Sequence, residues 1–203
     1  MARWVDNFAT RHGRADLTVG DGRLVVSGAD GARAEAALPF GLTYDGPPDV
    51  AAFAEATRAP GAWGVLLVRK GGFAVAVVDG GRLVASKVGQ RHVQGRTKAG
   101  GQSQQRFARR RDNQARQAYE AAADHAHRLL VQDAPRLVAL VCGGDRQAVE
   151  QVLGDPRLDP VGALRVGPWL AVPDPRRAVL EQAVRDGAAV QVAVTDEAAE
   201  PRK

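Results

Sequence analysis

The sequence predicts an α/β sandwich with a mixed sheet of the ribonuclease H-like type, a long basic helix and a small β-meander ahead of both. Three observations carry this. Between residues 63 and 88, three strand patterns follow one another across connections too short for anything but antiparallel neighbours. Residues 104–131 contain neither Pro nor Gly and repeat their apolar positions at helical spacing. Beyond them strand and helix patterns alternate, as they do where helices cover a sheet.

Taken in order, Trp4, Val5 and Phe8 stand at helical spacing and cap a small core. Leu17-Thr18-Val19 and Leu24-Val25-Val26-Ser27 are short β-runs separated by Asp21-Gly22 and followed by Asp30-Gly31, turn pairs that tolerate positive φ. Pro47-Pro48 breaks the chain, and Asp49 caps a short helix through Val50, Phe53 and Ala54. This gives a division into an appendage, residues 1–48, and a main domain, residues 49–203.

The strands Trp63–Val68, Phe73–Val78 and Leu83–Val88 are joined by Lys70-Gly71-Gly72 and Asp79-Gly80-Gly81. The first two are almost wholly apolar, so they are central and buried on both faces. Gly- and Gln-rich residues 89–103 cannot bury a core and read as a long loop. After the long helix come a buried strand at Leu137–Val141, a Gly143-Gly144 turn and a helix from Asp145 to Leu153. Pro175 opens a helix to about Val184, and Ala189–Val194 forms a last strand.

Composition excludes several classes. A single cysteine, Cys142, rules out a disulfide framework or a cysteine-rich zinc site. No apolar run reaches the roughly 18 residues of a membrane span, and the first residues lack a signal-peptide pattern, so no membrane role and a cytoplasmic location are expected. Charge is concentrated: residues 87–116 carry nine Lys or Arg against the lone Asp112, a net +8, while the rest of the chain sums to −3. A mildly acidic body with one basic segment is built to meet a polyanion.

On the long helix, Ala108, Ala115, Ala118, Tyr119, Ala122, Ala126 and Leu129 share one face, and Arg106, Arg109, Arg110, Asn113, Arg116 and Gln117 the other. Arg111 falls on the apolar side. No Glu precedes these arginines at the four-residue spacing that would offset them, and a run of Arg at a helix start opposes the macrodipole. Folding alone would not favour that arrangement; phosphate binding by the helix start and its Arg side chains accounts for it.

The loop before the helix reads Gly95-Arg96-Thr97-Lys98-Ala99-Gly100-Gly101-Gln102-Ser103. It is no phosphate-binding P-loop, because Lys98 precedes the glycine pair. Gly100-Gly101-Gln102-Ser103, followed by Arg106-Phe107-Ala108-Arg109 and Arg111, resembles the catalytic middle domain of archaeal and eukaryotic class 1 peptide release factors. The likeness continues through Leu137–Val141, the glycine turn and the Ala148–Leu153 helix, over roughly residues 63–195. With 203 residues leaving no room for codon-reading and GTPase-recruiting domains, the chain is similar to the actinobacterial-type release-factor-like peptidyl-tRNA hydrolases of ribosome rescue and ribosome quality control.

That resemblance implies a release-factor middle-domain fold and hydrolysis of the peptidyl-tRNA ester on the large ribosomal subunit. Gly100, Gly101 and Gln102 would form the catalytic loop, with Gln104 and Gln105 as neighbouring alternatives to Gln102. Arg96, Lys98, Arg106, Arg109, Arg110, Arg111 and Arg116 would contact ribosomal RNA and peptidyl-tRNA. No metal and no small-molecule cofactor is implied. Two glycines let the backbone enter a narrow RNA cavity, and a neutral amide orients water without repelling phosphates.

Other chemistries fit less well. His92 lies ten residues before Gln102 and is a weak choice of base; His125 and His127 are far along the helix and read as structural or exposed. Ser103, His92 and Asp112 lack a nucleophile elbow. A two-metal nuclease needs converging carboxylates, whereas Asp79 and Asp145 are explained by turn formation and helix capping. A metal-free nuclease acting on the tRNA acceptor end and a non-catalytic ribosome-binding factor are the remaining alternatives.

Overall fold

A computed structural model describes residues 1–58, 61–90 and 115–196. By contacts the described residues divide into two compact units, one drawn from Met1–Ala59 and Ala188–Lys203, the other from Pro60–Gly187. The helix of residues 50–56 and the last strand, assigned from sequence to the main domain, thus group with the N-terminal residues.

The first unit begins with helix α1 (Ala2–His12), then strands β1 (Ala15–Gly20), β2 (Arg23–Gly28) and β3 (Arg33–Ala37) in an antiparallel meander. Asp21 and Gly22 both have positive φ, 49° and 72°, the requirement of the two-residue turn that the Asp-Gly pair signals. Phe8 packs with Val26, Ala32 and Ala34, and Trp4 stacks on Phe8 with centroids 5.5 Å apart. Helix α2 (Val50–Ala56) is capped by Asp49, whose carboxylate accepts from the Ala52 N–H at 2.8 Å. Its Phe53 meets Tyr44 edge-on at 4.9 Å, and the Tyr44 hydroxyl donates to the Pro47 carbonyl.

The second unit is built on strands β4 (Ala62–Arg69), β5 (Gly72–Asp79), β6 (Arg82–Gln90), β7 (Leu137–Gly144) and β8 (Arg165–Leu170) in the order β6-β5-β4-β7-β8. The β4–β5 and β5–β6 pairs are antiparallel, and β4–β7 and β7–β8 are parallel, so the sheet is mixed as expected. Strand β6 continues through Gly89 and Gln90, which the sequence reading gave to the loop. Gly80 and Gly81, at φ 53° and 75°, make the β5–β6 turn.

Helix α3 is described over residues 115–126 and closes in a π-helical turn, His127–Val131. Helices α4 (Arg146–Leu153) and α5 (Asp159–Gly162) follow β7, and α6 (Arg177–Gly187) follows β8. Alternation along the strands sorts the core. Leu66, Val68, Phe73, Val75 and Leu140 face Ala122, Ala126 and Leu130 of the α3 segment and Val149 and Val152 of α4. Trp63 and Val141 point the other way, where a Cβ on Gly187 of α6 would come within 3.1 Å of the Trp63 ring. Each fully buried large side chain contributes about 1.5–3 kcal/mol.

Helix α6 begins at Arg177, two residues after the expected Pro175. Strand β9 (Gln191–Thr195) corrects a second expectation. It pairs antiparallel with β3 and completes a four-stranded sheet in the first unit instead of joining the mixed sheet.

Candidate nucleic-acid interface

Because β4, β7 and β8 are parallel, their carboxyl ends, at Arg69, Gly144 and Leu170, share one edge of the sheet. Strand β5 starts at that edge with Gly72, and β6 ends there with Gln90. In open α/β sheets this is the edge where ligands approach. Beyond β7, Gly144 turns at φ 96° and the Asp145 N–H donates to the Val68 carbonyl at 2.8 Å. The Asp145 carboxylate then caps α4 by accepting from the Ala148 N–H at 3.2 Å. Lys70 from the β4–β5 turn, Ala115 and Arg116 from the first described turn of α3, and Asp145 all line one groove of about 720 Å³.

Several cations lie at or near this edge. Arg69 donates to the Val172 carbonyl at 2.8 Å and lies 3.6 Å from Asp174, so its charge is partly engaged. Lys70 and Lys87 are exposed. The Arg116 side chain is 73% exposed, and its nearest carboxylate, Glu120, is 3.8 Å away, a pair worth little in water. The guanidinium of Arg146 lies over the Trp169 ring, 4.5 Å from its centroid, leaving a planar cation at the start of α4.

A smaller cavity of about 200 Å³ lies between the β5–β6 ends and α3, lined by Gly72, Phe73, Lys87, Gly89 and His125 among others. The His125 ring stacks on Phe73 with centroids 5.4 Å apart, and a ring nitrogen is 2.9 Å from the Arg128 guanidinium. Burial, reinforced by the charges of Arg128 and Lys87, holds its pKa below the ordinary histidine value. His125 is therefore a neutral, half-buried packing group at neutral pH. Cys142 lies in the β-sheet core, where burial pushes its thiol up to about 12, so it is no nucleophile.

Of the residues assigned a role from sequence, Arg116 lies within the described structure, on the exposed side of α3. Gly100, Gly101, Gln102, Arg96, Lys98, Arg106, Arg109, Arg110 and Arg111 lie outside the described residues, as do His92, Ser103, Gln104, Gln105 and Asp112. The helical face read from sequence holds where it is described: Ala118, Ala122 and Ala126 are buried, with Ala123 and Leu130 added to them. Asp145 is a helix cap as expected. Asp79 also accepts from Arg136 at 3.2 Å. Among the described residues no group of three or more His, Cys, Asp or Glu is arranged to hold a metal ion.

Sequence reasoning passed over Lys70, Tyr119 as a surface residue, Gln147, Gln151 and the Arg146–Trp169 pair. Each is unremarkable alone, and only the parallel pairing of β4 with β7 brings the β4–β5 turn and the start of α4 to the same edge.

No helix among the described residues is long and apolar enough to cross a membrane. No curated protein matches the sequence. Among solved structures, an archaeal translation termination factor, aRF1, aligns at 14% identity and a TM-score of 0.46, covering 80% of this chain and 48% of its own. A second structure, described only as an archaeal protein, aligns at 13% identity and a TM-score of 0.42, covering 78% and 48%. The chain thus spans about half the length of the archaeal structures it matches. Residues 61–193, well over half of the sequence, match the family described as the Actinobacteria/chloroflexi VLRF1 release factor, and the chain belongs to that family.

Proposed function

We propose that the protein is a peptidyl-tRNA hydrolase that frees nascent chains from stalled ribosomes or large subunits, with Gly100, Gly101 and Gln102 as its catalytic loop. The observation that carries this is the release-factor family match, whose span encloses both the Gly-Gly-Gln tripeptide and the basic segment. Such membership supports a role in translation termination or ribosome rescue; the ester chemistry rests on the motif. The catalytic function belongs to the second unit, and the partners are the large subunit, its RNA and peptidyl-tRNA.

In this reading the ribosomal RNA already positions the ester, so the protein supplies an oriented water and a donor for the developing oxyanion. Water attacks the ester carbonyl carbon. The bond from that carbon to the terminal ribose oxygen breaks, the peptide leaves with a free carboxyl group, and a proton from the water ends on the ribose oxygen. The adjacent ribose hydroxyl relays that proton, so no protein base is required. Gln102 orients the water through its neutral amide, and the two glycines let the backbone approach. Arg96, Lys98, Arg106, Arg109, Arg110, Arg111 and Arg116 hold the phosphates around the site.

The test is incubation of the protein with large subunits carrying labelled peptidyl-tRNA, followed by analysis of both peptide and tRNA termini. Free peptide with an intact tRNA end is expected. Gln102→Ala should slow release by at least about 100-fold, as loss of an oxyanion-stabilising or water-orienting donor does elsewhere, while subunit binding persists. A shortened tRNA end would indicate a nuclease. Unchanged release in Gln102→Ala, Gln104→Ala and Gln105→Ala alike would leave only a ribosome-binding role.

A further inference from the structure

The groove at the carboxyl edge of the mixed sheet has a composition that phosphate binding alone does not explain. Its volume of about 720 Å³ falls within the range of small-ligand sites, about 300–1,000 Å³. Its lining includes one aromatic ring, two amides, two cations and three carboxylates. Two of the carboxylates are engaged, Asp145 in capping α4 and Asp155 by Arg157, while Glu120 stands 3.8 Å from Arg116 in a long, exposed pair. The side chains of Lys70, Gln147 and Gln151 are exposed and make no hydrogen bond or ion pair among the described residues. Tyr119 packs part of its ring against the core cluster and presents the rest to the groove, and its hydroxyl likewise has no partner among the described residues.

An aromatic surface beside unspent amides and two cations matches one class of ligand. A nucleobase has a π-face for the ring and donor and acceptor edges for amides, and its phosphate suits a lysine or arginine. Three carboxylates in the same groove disfavour a run of phosphates, so the site suits one splayed nucleotide better than a stretch of backbone. Resting on the RNA-directed reading above, we infer that this groove takes one unstacked nucleotide of single-stranded RNA. Its base stacks on Tyr119, its edge meets Gln147 and Gln151, and its phosphate meets Lys70 and Arg116. Base contact gives the interface a preference for unpaired RNA, which the arginines of the basic segment cannot supply.

The experiment measures binding of the full chain to a short fluorescein-labelled single-stranded RNA, to the same sequence as a duplex, and to AMP and GMP as competitors. Tyr119→Ala should raise the Kd for the single strand about tenfold, the cost of one lost base stack, without altering the salt dependence. Tyr119→Phe should keep the affinity, which separates stacking from a folding defect. The double variant Gln147→Ala/Gln151→Ala, confined to exposed positions of α4, should weaken single-strand binding several-fold with unchanged thermal stability. Duplex binding should be unaffected by either change.

Unaltered single-strand affinity in both Tyr119→Ala and the double variant overturns the inference. So does an equal loss on duplex RNA. Mononucleotide binding that depends on Gln147 and Gln151 while RNA affinity does not would also overturn it, by making the ligand a free nucleotide. Peptide release is read in a separate assay, so a protein that binds RNA through Tyr119 yet releases no peptide refutes the hydrolase reading alone.

Discussion

His125, read from the sequence as structural or exposed, is a packing residue against Phe73. Stacked on Phe73 and flanked by Arg128 and Lys87, it has a pKa held down first by burial and then by those two charges. Its unfolded-state value is the ordinary one, so the unfolded chain binds the proton more readily, and the stabilising contribution is lost as pH falls through the ordinary histidine range and below. The ring resonances of His125 should titrate with a midpoint under 6.5, and His125→Gln should flatten the fall in urea-unfolding stability between neutral pH and pH 5. A midpoint above 6.5 would contradict the packing described. The same scale shows what a sequence can reveal of a site. A candidate tripeptide such as Gly100-Gly101-Gln102 is contiguous and legible as a motif, whereas Tyr119 and Gln147 line one groove only through tertiary packing and leave no pattern in the sequence.

At the scale of elements, tight turns and side-chain caps made several local elements legible, whereas the four-residue helix α5 was not anticipated. Strands β4, β5 and β6 are joined by tight turns, and α2 and α4 carry Asp caps, so each was visible within a few residues. Strand β8 was missed because it is a half-exposed edge strand interrupted by Gly167-Pro168. The partner of β9 was misjudged because its pairing with β3 spans most of the chain and depends on no nearby residue. The β7–α4 turn was anticipated from its glycines, and the geometry shows which one carries it. At Gly144, φ is 96° and an added Cβ would collide with the Val68 carbonyl, so Gly144→Ala should destabilise by about 1–3 kcal/mol. Gly162 in α5 has open space around its Cα, and Gly162→Ala should be neutral or stabilise by up to about 1 kcal/mol. Chemical denaturation of both variants checks the pair; equal effects would mean that the turn is not under the constraint described.

Over the whole molecule, the division of charge separates binding from folding. The excess of positive charge lies in residues 87–116, and the remainder of the chain is slightly acidic. Two arginines of the first unit are spent internally: Arg23 and Arg33 both bond Glu35, whose pKa they hold below the ordinary value. Neutralising a phosphate releases counterions, so affinity for a ribosomal particle should fall with salt, and each lost contact should reduce the slope of log K against log salt by about 0.7–0.9. Arg116→Ala should produce that reduction with little change in stability, since its side chain is 73% exposed and its pair with Glu120 is long. Arg23→Ala is the control of equal charge: it should leave the slope unchanged while loosening the Glu35 cluster. Titration of labelled large subunits across a range of KCl concentrations measures both. A slope that changes equally in the two variants would mean that net charge alone drives association, and that the basic segment has no privileged contact with RNA.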